Sequence, residues 1–172
     1  MKRTPLKRKT ALKAKTGLNR SPIRRIAKKK ATKKKPKRAL TTAKLLKKVQ
    51  DVFNRYVRTR AAVATGGWVA CCSCGQVHDW KKLDAGHYIH GCSALRYDER
   101  NVHPQCTACN RFRHGNATGY AAYLVKRYGP DIILYLDEIK RQNKEAPKRW
   151  RRPELRELLE TYTQKLKELN QP

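Results

Sequence analysis

Two C-x-x-C turns, Cys71-x-x-Cys74 and Cys106-x-x-Cys109, constrain this 172-residue chain more than any other feature. Each turn brings two thiolates to one point, and four sulfurs fill the tetrahedron that zinc prefers. A structural Zn2+ on Cys71, Cys74, Cys106 and Cys109 is therefore expected, with a small domain that depends on it for order. Cys72 would make a poorer chelating loop with Cys74, and Cys92 stands alone, expected as a small buried residue. The same spacing, in a chain whose basic start lacks the apolar stretch of an export signal, favours metal over disulfides and a cytoplasmic setting.

Charge sets the partner class. The formal net charge is +29, from 42 Lys+Arg against 13 Asp+Glu. A polyanion is the direct reading, because each phosphate neutralised releases condensed counterion. No apolar run is long enough to span a membrane, so nucleic acid is expected and a membrane is not.

The excess is concentrated at the start. Residues 1–40 carry no acid, and the first acidic residue is Asp51. Lys28-Lys29-Lys30 and Lys33-Lys34-Lys35 repel one another with little apolar surface to bury, so this tail is expected to be disordered and to hold nucleic-acid backbone. Residues 41–66 then read as a basic amphipathic helix. Leu45, Val49, Val52, Phe53, Tyr56 and Val57 recur at three- and four-residue steps, Thr41 or Thr42 can cap it, and Gly66-Gly67 ends it. Past the central segment, 67–118, three more helices are expected within 119–172. One ends at Gly129, one starts at Pro130, and a last one opens at Pro153 with a heptad-like leucine stripe. That stripe suits packing on the core, or pairing with a second copy as a homodimer.

Between the cysteine turns lies a second constellation. His87, in Ala85-Gly-His-Tyr-Ile, reads as a short strand, and Asn101 sits on another before Cys106. A hairpin leading into a short helix near Cys106 follows, with Asn110 and His114 at i, i+4 on one face. Oxygen and imidazole donors there would suit a hard divalent cation such as Mg2+ or Mn2+. Taken singly, a histidine in a zinc module is more often structural than catalytic, and His78 and His90 are expected at the surface. Arg111 and Arg113 extend the basic surface beside this site.

The order of a cysteine turn, a histidine at a strand end, an asparagine on the next strand and a turn running into a helix resembles the HNH, or ββα-metal, nucleases. More narrowly, Cys71-Cys-Ser-Cys-Gly75, Asp84-Ala-Gly-His-Tyr88, Leu95-Arg-Tyr-Asp-Glu-Arg-Asn101, His103-Pro-Gln-Cys106, Cys109-Asn110 and Gly115-Asn116 resemble the phage NinG recombination protein family. The resemblance implies an α+β, mostly helical fold with a small zinc-stapled ββα-metal centre. It implies a recombination endonuclease acting on branched DNA, such as Holliday junctions, in the bacterial host cytoplasm, in the company of other phage recombination proteins. His87 would be the general base, Asn101 would orient it, and Asn110 and His114 would hold the catalytic metal. Many HNH enzymes place an aspartate directly before the base; here that position is Gly86. Asp84, two residues earlier, or His103 would then complete the ligand set. The alternative is a zinc-stapled binding protein with no catalysis, separated from the nuclease by the role of His87.

Overall fold

The structure, a computed structural model, describes residues 40–170. Lys28, Lys29, Lys30, Lys33, Lys34 and Lys35 lie outside the described residues. All of the described residues belong to one unit.

Helix α1 (Thr42–Val63) starts where Thr41 accepts a hydrogen bond from the Lys44 amide at 3.4 Å. Its Leu45, Val49, Phe53 and Val57 fall four apart and are buried. The last helix, α4 (Arg152–Leu169), lies along that stripe through Leu155 and Tyr162. Phe53 meets the edges of Tyr97 and Tyr162 at 5.7 and 4.8 Å between ring centres. The heptad-like stripe of α4 therefore packs on the core. Glu99 ties this frame to the central segment. Its carboxylate pairs with Arg60 from α1 and Lys165 from α4, the latter at 2.7 Å, and accepts from the Tyr56 hydroxyl.

The central segment is two hairpins. Strand β1 (Trp68–Ala70) pairs antiparallel with β2 (Val77–Asp79), and β3 (Leu83–His87) with β4 (Val102–Cys106). The second register sets Asp84 opposite Gln105, Gly86 opposite His103, and His87 opposite Val102. Side chains alternate between faces along a strand. One face therefore carries Asp84, Gln105 and His103; the other carries Ala85, Val102 and His87. Ala85 and Val102 join the α1–α4 core.

After β4 comes a π-helix, Ala108–Phe112, closed by an Arg113 N–H to Ala108 carbonyl bond of 3.0 Å. Helices α2 (Ala117–Tyr128) and α3 (Asp131–Glu145) follow, breaking at Gly129 with φ 89° and restarting at Pro130. They form a second core of Leu95, Tyr120, Leu124, Ile132 and Leu136 with Cys72 and Cys92. The expected short helix carrying Asn110 and His114 on one face is corrected here. The π turn ends at Phe112, and His114 and Asn116 take left-handed φ of 48° and 45°. The chain reverses between Asn110 and α2, so the i, i+4 relation does not stack the two side chains. No helix among the described residues is long and apolar enough to cross a membrane.

Candidate functional site

The two cysteine turns meet. Donor sulfurs of Cys71, Cys74, Cys106 and Cys109 all lie within 4.8 Å of one another, and all but Cys74 are buried. Register brings them together. Cys71 follows β1, Cys106 ends β4, and Gly75 at φ 75° lets the first turn fold back so that the Cys71 amide donates to the Gln76 carbonyl at 2.8 Å. Backbone amides point at the sulfurs: Cys106 N–H at Cys71 Sγ, 3.3 Å, and Cys109 N–H at Cys106 Sγ, 3.4 Å. The Asn116 amide reaches Cys109 Sγ at 3.7 Å.

The thiols of Cys71, Cys74 and Cys106 are shifted in opposite directions. A hydrogen bond from Cys72 holds the Cys71 thiol low, whereas burial pushes Cys74 and Cys106 up. A divalent cation would compensate four clustered thiolates, and the N–H groups directed at the sulfurs would steady them. The residues fit a metal such as zinc. Cys72 and Cys92 belong to the apolar core instead, and burial raises the Cys72 thiol first.

His87 stands at the end of β3 on the wall of a cleft of about 280 Å3, lined also by Gln50, His90, Cys92, Ser93 and Arg96. Its Nε2 lies 3.1 Å from the Arg96 carbonyl. A carbonyl only accepts, so Nε2 carries the hydrogen and, in the neutral ring, Nδ1 keeps a lone pair. Burial, opposed by that hydrogen bond and reinforced by the charges of His90 and Arg96, lowers the His87 pKa below its ordinary value. The imidazole is therefore neutral at pH 7. Arg96 is held in turn, its Nε donating to Gln50 Oε1 of α1 at 2.8 Å.

Asn101 is fully buried and does not hydrogen-bond the His87 ring. Its Oδ1 accepts from the Ile89 amide at 2.8 Å, and its Nδ2 donates to the carbonyls of Ile89 and Leu95 at 3.1 Å each. It braces the loop between β3 and β4, the same loop that supplies the Arg96 carbonyl to His87. Its hold on the imidazole is thus through backbone.

Of the residues expected around a second metal, Asp84 and Asn110 come together, and His103 is engaged elsewhere. His103 is 1% exposed. Its Nδ1 lies 3.2 Å from the Tyr120 hydroxyl and its Nε2 3.0 Å from that of Tyr128. Tyr120 gives its own proton to the Gly86 carbonyl at 2.8 Å, so Nδ1–H donates to Tyr120 and Nε2 accepts from Tyr128. Both ring nitrogens are taken. Burial, then the charges of Arg60 and Arg127, lower the His103 pKa to about 3. Asp84 accepts from Asn110 Nδ2 at 3.0 Å and makes a two-point pair with Arg111 at 3.1 Å. His114 is exposed in its left-handed turn. Among the described residues the four cysteines are the one group of three or more His, Cys, Asp or Glu placed to hold a metal. His103 is thus engaged by two tyrosines, and Asp84 by Asn110 and Arg111.

Gly86 has a local reason. A Cβ there would overlap the side chain of Gln105, coming within 2.9 Å of its Cβ. Gln105, fully buried, donates to Ser73 Oγ and the Gly115 carbonyl. It fills the space in which an acid at position 86 would stand. Arg96, His90, Gln50 and Gln105 were not among the expected site residues, and no spacing rule marks a loop arginine or a buried glutamine.

The family model described as "Bacteriophage Lambda NinG protein" matches residues 2–171. "Protein ninG" of Salmonella phage P22 is 36% identical over 126 residues, covering 72% of this chain and 57% of that relative. "Protein ninG" of Escherichia phage lambda is 34% identical over 126 residues, covering 72% and 56%. The matched stretch thus spans little more than half the length of these curated relatives. No solved structure matches the chain. With a family model spanning nearly its whole length, the chain belongs to the NinG family.

Proposed function

We propose that this chain is a recombination endonuclease that hydrolyses phosphodiesters in branched DNA, with His87 as general base. The observation that carries the reading is the His87 ring itself. Its Nε2 is fixed on a backbone carbonyl and its Nδ1 lone pair is free, at a cleft that also holds a guanidinium. Nδ1 takes a proton from water, the hydroxide attacks phosphorus in line, and the P–O3′ bond breaks. The 3′ oxygen leaves to become a hydroxyl, with a proton returned through the imidazolium or solvent. Arg96, lining the same cleft, faces the phosphate oxygens with a fixed positive charge. Cys71, Cys74, Cys106 and Cys109 would hold a zinc that steadies the hairpin, and four thiolate ligands would leave it no part in the reaction. The net charge of +29 supplies backbone attraction without sequence reading. The setting is the cytoplasm of a phage's bacterial host.

The non-catalytic reading, a zinc-stapled DNA-binding recombination factor, is favoured by one observation. No second metal-ligand cluster is gathered among the described residues. Single-turnover cleavage of labelled linear, forked and four-way DNA, with and without Mg2+ or Mn2+, separates the two. His87→Ala is expected to lose about 10²–10⁴-fold in rate with metal content and DNA affinity kept. The wild-type rate should fall with pH only as His87 protonates, below its ordinary pKa. Wild-type rate in His87→Ala removes the base assignment. Tight junction binding by the wild type with no cleavage under either metal installs the binding reading.

A further inference from the structure

Phe112 is 77% exposed, the most exposed of the large apolar side chains among the described residues. It ends the π-helix Ala108–Phe112, which also contains the metal-ligand candidate Cys109. Exposed single apolar residues are common and need no explanation. This one is set in an unusual backbone. A π turn is rare in proteins and costs hydrogen-bond geometry. Two non-glycine residues in left-handed conformation follow it, His114 and Asn116. Such strain persists only where the surroundings over-determine it.

The surroundings do so here. Asp84 grips Asn110 and Arg111 from β3, and Asn116 Nδ2 donates to the Ser73 carbonyl at 3.2 Å. The turn is thus clamped on both sides of Phe112, which is left facing solvent. Arg111, its side chain 64% exposed, precedes Phe112, and exposed Arg113 follows it. Among the described residues Arg113 makes no ion pair.

From this geometry we propose that Phe112 is a stacking wedge for an unpaired or unstacked DNA base at a branch point, with Arg111 and Arg113 holding the flanking phosphates. A rigid aromatic presented between cations suits a base and its backbone. The ring stacks on the base face, and guanidinium groups meet phosphate. The occupant is nucleic acid because Arg113 carries a charge unpaired among the described residues beside the ring, Arg111 keeps its Nη1 outside the pair with Asp84, and the chain carries +29. Linear duplex offers no unstacked base, so the wedge would add selectivity for branches to a non-specific attraction. The inference rests on the DNA reading above, and it names what that reading leaves open, the feature of the DNA that is recognised.

The test places 2-aminopurine at the branch of a forked DNA, with a linear duplex carrying the same base as reference, both titrated with the full chain. Wild type is expected to raise fluorescence at the branch as the base leaves its neighbours. Phe112→Ala should lose that rise and about tenfold in fork affinity, with duplex affinity unchanged. Phe112→Trp should keep both. Bound metal, measured in each variant, reports that the turn is still folded. A Phe112→Ala protein that retains metal and gives the wild-type rise and affinity overturns the wedge and leaves the nuclease reading standing. Sedimentation in which Phe112→Ala abolishes a dimer, with the fluorescence rise unchanged, assigns the surface to a second copy and also overturns it. Failure of the wild type to bind either DNA removes the wedge and the DNA reading together.

Discussion

The α1–α4 frame and the 68–116 segment are ordered by different means. The frame buries Leu45, Val49, Phe53, Val57, Leu155 and Tyr162 on two long helices. Burial of each such side chain contributes on the order of 1.5–3 kcal/mol. The segment has strands of three to five residues, and its cluster around the cysteines offers little beyond Val69, Leu83 and the sulfurs themselves. It also buries the polar side chains of Ser73, Asn101, His103 and Gln105, while its apolar Ile89, Leu95, Tyr97 and Val102 pack in the cores shared with the helices. Two-stranded hairpins are marginal alone. What the frame obtains from area, the segment obtains from specific bonds and from the ion its thiols are built to hold. His87 stands where the hairpin meets the frame.

The largest break in that contrast is expected from Cys106→Ser. A metal held by the four cysteines would contribute folding free energy on the order of 10 kcal/mol. The variant should lose bound metal and the β3–β4 hairpin, with the circular-dichroism helix signal of α1 and α4 largely kept. A single cooperative collapse of helix and hairpin would show that the two regions are one.

A smaller effect sharpens the account of the buried polar side. His103 has a pKa near 3 in the fold against an ordinary 6.5 when unfolded. Between those values the unfolded chain binds a proton that the folded chain does not, so stability rises with pH and is lost as pH falls from 6.5. The slope from this group is about 1.4 kcal/mol per pH unit at most. Denaturant unfolding from pH 6.5 to 5.0 should show a steeper decline in wild type than in His103→Gln. Equal slopes would mean that His103 titrates normally and is not sealed between its tyrosines.

The parts of the molecule that follow local rules were legible in the chain. The period of Leu45, Val49, Phe53 and Val57, the Thr41 cap, the Gly129-Pro130 break and the two C-x-x-C turns each act over a few residues, and each is found. Family resemblance on the Asp84–Tyr88 and Cys106–Asn110 stretches led to the right family. The placement of Asp84, His103, Asn110 and His114 relative to one another was not legible, because it is set by strand parity and by a turn no periodicity announces. Register puts His103 beneath α2 on the face away from His87. The π turn and the left-handed His114 undo an i, i+4 relation that holds only in a continuous α-helix. Gly86 read as a missing ligand; in the fold its space belongs to Gln105, a neighbour nineteen positions on that only strand pairing brings near.

The central claim is that the cysteine cluster, through one bound divalent ion, orders the hairpin that presents His87. Amide hydrogen exchange on the full chain, before and after removal of metal by a chelator, tests it most directly. With one metal per chain present, amides of 83–87 and 102–106 should be protected. After chelation they should exchange freely, while 45–60 and 155–166 keep most of their protection. A folded protein with no bound metal, or a hairpin as protected without metal as with it, would contradict the claim.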